Sequence, residues 1–149
     1  MIEFAATVVI TAGSLLLFLY WFRYTCLLLL EAKPARDYAS DLAAACGLAF
    51  VRVQGALPSA AQSDLAVLKD ALECDYRVLA ALRLKAGDMR GDAGQIEAAM
   101  LRVYYSAQRT LCSACTTLSP KAATRALEQM ASVLAYFANA AGECAATAA

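Results

Sequence analysis

The sequence predicts an all-α protein: a single N-terminal transmembrane helix followed by a small up-down helical bundle of three longer helices plus one or two short ones. Three observations carry that expectation. Phe4 to Phe22 is a run of 19 residues without a charge. The rest of the chain repeats apolar residues at three- and four-residue steps between glycine and proline punctuation. No sustained β-branched alternation bounded by turns occurs anywhere.

The first element is the decisive one. Nineteen uncharged residues at about 1.5 Å each cover most of a hydrocarbon core about 30 Å thick. Tyr20, Trp21, Phe22, Arg23 and Tyr24 close the run, and Tyr20, Trp21, Arg23 and Tyr24 are expected at the membrane interface, amphipathic rings beside a snorkelling guanidinium. No turn residue intervenes before Pro34, so one helix is expected from about Phe4 to Lys33. Residues 1–33 then form the anchor and its juxtamembrane extension, with Leu27 to Leu30 needing cover beyond the core. Sliding the span to Thr11–Leu30 would bury Arg23 and demand a partner for it. A cleaved signal peptide is disfavoured, because only Glu3 precedes the run and no positive n-region does. Arg23, Lys33 and Arg36 follow it, which places the N-terminus outside and the remainder in the cytoplasm.

Residues 34–58 read as a connector of short amphipathic helices. Ala35 to Cys46 carries Tyr38, Leu42 and Ala45 on one face and stops at Gly47. Phe50, Val53 and Leu57 follow at helical spacing until Pro58.

The bundle is expected over residues 59–141. Ser59 and Gln62 have capping-box spacing for its first long helix. There Leu65, Leu68, Leu72, Tyr76, Leu79 and Leu82 face the core, opposite Lys69, Asp70, Glu73, Arg77 and Lys85. Gly87 to Gly94 is the loop of an antiparallel hairpin. The returning helix, Gln95 to Thr117, presents Ile96, Met100, Val103, Tyr104, Ala107, Leu111 and Ala114 along one stripe. Ser119-Pro120 opens the last helix, to about Ala141, with Leu127, Met130, Leu134, Phe137 and Ala141 inward. Residues 142–149 are expected to fray as a flexible tail.

Chemistry is sparse. No histidine is present, which removes the commonest general base and zinc ligand. Thirteen basic and thirteen acidic residues cancel and are interspersed, so no basic stripe exists to hold nucleic acid. Cys112 and Cys115 have the spacing of a redox pair. They sit near a helix C-terminus, however, where the dipole opposes a thiolate, and small apolar packing is the expected role. Six scattered cysteines suit a reducing compartment. Arg90-Gly91-Asp92 is a short match of ordinary loop residues, and Asp88 with Asp92 lacks the ligand pattern of a calcium loop. No catalytic, cofactor or metal site is expected. Arg102, Tyr105 and Arg109 gather the residue types that favour partner contacts.

These readings point to a non-enzymatic, membrane-anchored interaction or scaffold module whose partners are the bilayer and another protein. An accessory subunit of a larger membrane complex is the second expectation, and a tethered thiol sensor the third.

Overall fold

The computed structural model describes residues 1–32, 37–86 and 92–148. The chain divides into two compact units, Met1–Ala32 and Lys33–Ala149. No strand occurs among the described residues.

The first unit is one helix, α1 (Ile2–Glu31), long and apolar enough to cross a membrane. Its side chains from Glu3 to Trp21 are exposed. The hydroxyls of Thr7, Thr11 and Thr25 donate to the carbonyls of Glu3, Thr7 and Trp21 at 2.8, 2.8 and 2.9 Å. These three threonine hydroxyls are thereby satisfied within the helix. Towards its C-terminal end Tyr20 stacks on Tyr24 at 6.4 Å and Trp21 meets Tyr24 edge-on at 6.1 Å. The helix ends at Glu31, where Ala32 turns extended; Lys33, its expected last residue, lies outside the described residues.

The second unit is built around its last helix. α2 (Ala39–Cys46) and α3 (Phe50–Ala56) meet at a 110° bend made by Gly47 at φ 65°, a left-handed conformation that glycine adopts without strain. α2 buries Ala39 and Ala43, with Leu42 half-buried, rather than the expected Tyr38–Leu42–Ala45 face. α3 buries Phe50 and Val53 as the spacing predicts. α3 ends at Ala56, ahead of Pro58 as expected, and the proline itself sits in a 3₁₀ turn, Leu57–Ser59.

The Ser59–Gln62 capping box does not form. The Ser59 hydroxyl donates back to the Ala56 carbonyl at 3.2 Å, and a second 3₁₀ turn, Gln62–Asp64, delays α4 to Leu65–Ala86. Gln62 instead donates to the Thr116 carbonyl at 2.9 Å. Gly87, Asp88 and the Arg90-Gly91 pair lie outside the described residues. α5 begins at Asp92, three residues before its expected start, and runs to Leu118. α6 starts at Pro120 as expected.

The three long helices run up, down and up. α5 is antiparallel to α4, as the pairs Lys69–Ser113, Glu73–Arg109 and Tyr76–Tyr105 show. It is antiparallel to α6 too, since Glu97 pairs with Tyr136 and Tyr104 with Gln129. α6 is central. Ala123, Leu127, Met130, Ala131, Leu134 and Ala138 are wholly buried, and its small residues let neighbours approach from several sides.

α6 does not fray at Gly142; it extends to Ala148. Gly142 is buried, and a Cβ there would collide with Cβ of Tyr38. The glycine that reads as a helix terminus is a docking point for the connector.

Candidate functional site

α5 decides what surface the bundle offers. Its buried residues are Ala98, Leu101, Tyr104, Tyr105 and Cys112. The stripe expected to face inward points the other way: Ile96, Val103 and Leu111 are 62%, 59% and 46% exposed, Ala107 and Ala114 are exposed and Met100 is half-buried. Only Tyr104 of that set belongs to the core. Leu118, 84% exposed, extends the outward stripe by one more turn. Two apolar stripes therefore share the helix, and the inner one wins burial because its polar atoms find partners. The Tyr105 hydroxyl donates to the Leu72 carbonyl at 3.1 Å, and that of Tyr104 to Oε1 of Gln129 at 3.3 Å. Ile96, Val103, Leu111 and Leu118 form a continuous apolar stripe of the kind that marks interaction surfaces.

The expected contact residues separate. Tyr105 is 3% exposed, stacked on Tyr76 with centroids 4.3 Å apart and planes 9° from parallel. It is a core residue and is not available to a partner. Burial pushes its phenol well above the ordinary range. Arg109 is exposed but held, its Nε donating to Oε1 of Glu73 at 2.8 Å, with Lys69 Nζ 3.6 Å from the same oxygen. Arg102 is exposed. Glu73, Tyr76, Arg77, Tyr105, Ser106 and Arg109 border a shallow open depression of about 200 Å³. Its volume is below the range of about 300–1,000 Å³ usual for small-molecule clefts.

The thiol pair divides as well. Cys112 is 1% exposed and Cys115 half-buried, and no cysteine is in a disulfide. Burial pushes the Cys112 thiol up, outweighing Lys69 and the Thr116 hydroxyl, which pull it down. A redox thiol needs the opposite shift. Among the described residues no cluster of three or more potential ligands could hold a metal ion.

Two polar side chains, Asp75, which is buried, and Asn139, which is half-buried, serve structure. Asp75, 5% exposed on α4, accepts the backbone N–H of Ala49 and of Phe50 on the same Oδ2, both at 2.7 Å. It caps the start of α3. Desolvation raises its carboxyl above the ordinary value, while the two N–H donors and Arg52 pull it back. Asn139 on α6 caps α2 similarly, its Oδ1 accepting from Tyr38 and Ala39 at 2.7 and 2.8 Å. The signal for Asp75 was present: it falls three residues after Leu72 and four before Leu79, a carboxyl on the core side of the stripe.

Comparison with protein families, curated proteins and solved structures finds no match to this chain.

Proposed function

We propose that this protein is a single-pass membrane protein whose helical bundle works as a non-catalytic interaction module, with α1 as anchor, the N-terminus outside and the bundle on the cytoplasmic face. The observation that carries the interaction role is the outer stripe of α5. It puts Ile96, Val103, Leu111 and Leu118 in solvent along one side of a helix whose other side is fully packed. Isolated exposed apolar residues are ordinary, but a row at helical spacing is what helix-in-groove and helix–helix partners recognise. The anchor follows from α1: an uncharged run from Phe4 to Phe22 with aromatic residues at its end. Arg23, Lys33 and Arg36, on the bundle side of that run, support the orientation.

The test is affinity purification of the full-length protein from its own membranes in mild detergent, comparing wild type with Leu111→Arg and Arg23→Ala. Leu111 is 46% exposed, so arginine there leaves the bundle folded, which circular dichroism checks. The reading predicts that Leu111→Arg loses the associated protein and Arg23→Ala keeps it. If the reverse holds, α1 carries the association and the protein is an accessory subunit held through its span. Reagent access from the two sides of sealed vesicles to the exposed Cys46 and Cys74 tests the orientation, and labelling from the outside contradicts it.

A further inference from the structure

We propose that the occupant of the outer α5 stripe is a second copy of this chain, docked as an antiparallel α5–α5 pair with its twofold axis at Ala107. This rests on the interaction reading above and names the partner. The argument is one of register. Turned end over end about Ala107, the stripe falls on itself: Ile96 meets Leu118, Met100 meets Ala114, and Val103 meets Leu111. Large residues meet at the two ends and again beside the centre, a large residue meets a small one between them, and an alanine sits on the axis. This is the self-complementarity that a twofold interface requires, since each contact must occur twice. Alanine on the axis lets the helices approach closely where they cross.

Charge agrees with this register. The contacts Tyr104–Gln129 and Glu97–Tyr136 fix how α6 lies alongside α5. On that alignment Arg125 and Glu128, both exposed, lie one on either side of the level of Ala107. The twofold axis keeps the α6 side of one copy against the α6 side of the other. It therefore brings Arg125 of each copy level with Glu128 of the other, giving two opposite-charge pairs along one rim. The size of the face sets the strength. From Ile96 to Leu118 the stripe is about 33 Å long and about 10 Å wide, about 330 Å² on each copy, well below the roughly 800 Å² per partner of a standard interface. The association is weak for free bundles and is raised by confinement of both copies to one membrane.

The experiment uses the full-length chain in bilayer nanodiscs large enough for two copies, and in its own membranes, with oxidative cross-linking of Ala107→Cys. A cysteine on the twofold axis meets its own mate, so Ala107→Cys is expected to give a disulfide-linked dimer at least about ten times faster than Val67→Cys. Val67 is 69% exposed on the outer side of α4 and reports random collision against the background of the native thiols. Adding Leu111→Arg to Ala107→Cys is expected to return cross-linking to the Val67→Cys rate. Equal rates for Ala107→Cys and Val67→Cys overturn the self-association. If they are equal while Leu111→Arg still releases a different co-purifying protein, the face binds a foreign partner: the interaction reading stands and the dimer does not. If they are equal and Leu111→Arg changes nothing, both readings fall.

Discussion

The two sides of α5 differ less in composition than in fate. Leu101, Tyr105 and Cys112 on the inner side are at most 3% exposed, whereas Ile96, Val103 and Leu111 on the outer side are 46% or more exposed. Both rows repeat at helical spacing and both are apolar. Burial goes to the side whose polar atoms have somewhere to go: the Tyr105 hydroxyl reaches the Leu72 carbonyl, and Tyr136 donates to Glu97 at 2.8 Å. A row of Ile, Val, Leu and Ala makes no such demand and can wait for a partner, which is why it is the informative surface of this molecule.

The sharpest way to break that contrast is to truncate one residue on each side. Leu101→Ala removes a wholly buried side chain and is expected to cost about 2–5 kcal/mol, read as a lowered urea midpoint of the full-length protein in detergent. Val103→Ala, two residues along, is expected within about 0.5 kcal/mol of wild type. Similar losses at both positions would show that the outer side is packed too.

Asp75→Ala comes next. It leaves the N–H groups of Ala49, part-buried, and Phe50, buried, without their acceptor and is expected to cost about 2–6 kcal/mol, given about 1–3 kcal/mol for each orphaned donor. Asp75→Asn keeps an acceptor and is expected to cost less. The pH dependence has a definite sign. The folded carboxyl is raised above its ordinary value, so the folded state holds its proton more tightly than the unfolded one. That contribution is present in full below the ordinary carboxylate value of about 4 and is lost as pH rises through the folded value. Stability measured upward from pH 4 should therefore fall less steeply in Asp75→Asn than in wild type. An unchanged slope would remove Asp75 from the account.

Gly142→Ala tests the connector's seat on α6. The added Cβ meets Cβ of Tyr38, and the expected loss is about 1–3 kcal/mol, of the size typical of overpacking. A gain in stability, as at an ordinary exposed helical glycine, would contradict the docking. The smallest effect belongs to Glu73→Ala: Arg109 is 56% exposed in that pair, and the expected change is below about 1 kcal/mol. On the chemical side, maleimide should modify Cys46 and Cys74 well before Cys112, whose thiol is buried and raised. Early labelling of Cys112 would revive the thiol-sensor reading.

What could be read in the sequence was what local chemistry encodes. The uncharged run of α1, the stop at Gly47, the start at Pro120 and the antiparallel hairpin of α4 with α5 rest on neighbours in the chain, and the structure contains them. What could not be read depends on partners far away. Ser59 and Gln62 have capping-box spacing, but Gln62 is drawn to Thr116, 54 residues on, and α4 starts later. Asp75 and Asn139 cap helices that begin 25 and 100 residues from them. Gly142 looks like a terminus until Tyr38 is placed beside it. The facing of α5 failed for the same reason: periodicity finds two apolar rows, and only the tertiary partners of Tyr104 and Tyr105 say which is inside. Tyr105, expected at a contact surface, is therefore in the core, and Leu111, expected in the core, is at the surface.

The most direct test of the central claim, that the outer side of α5 is the working surface, is hydroxyl-radical footprinting of the full-length protein in its native membranes and again after dilution into detergent. Val67, exposed on α4, serves as the internal reference. The account predicts that Ile96, Val103 and Leu111 are protected relative to Val67 in the membrane and become as reactive as their exposure allows once the protein is dispersed. Equal reactivity of Leu111 and Val67 in both settings would contradict it.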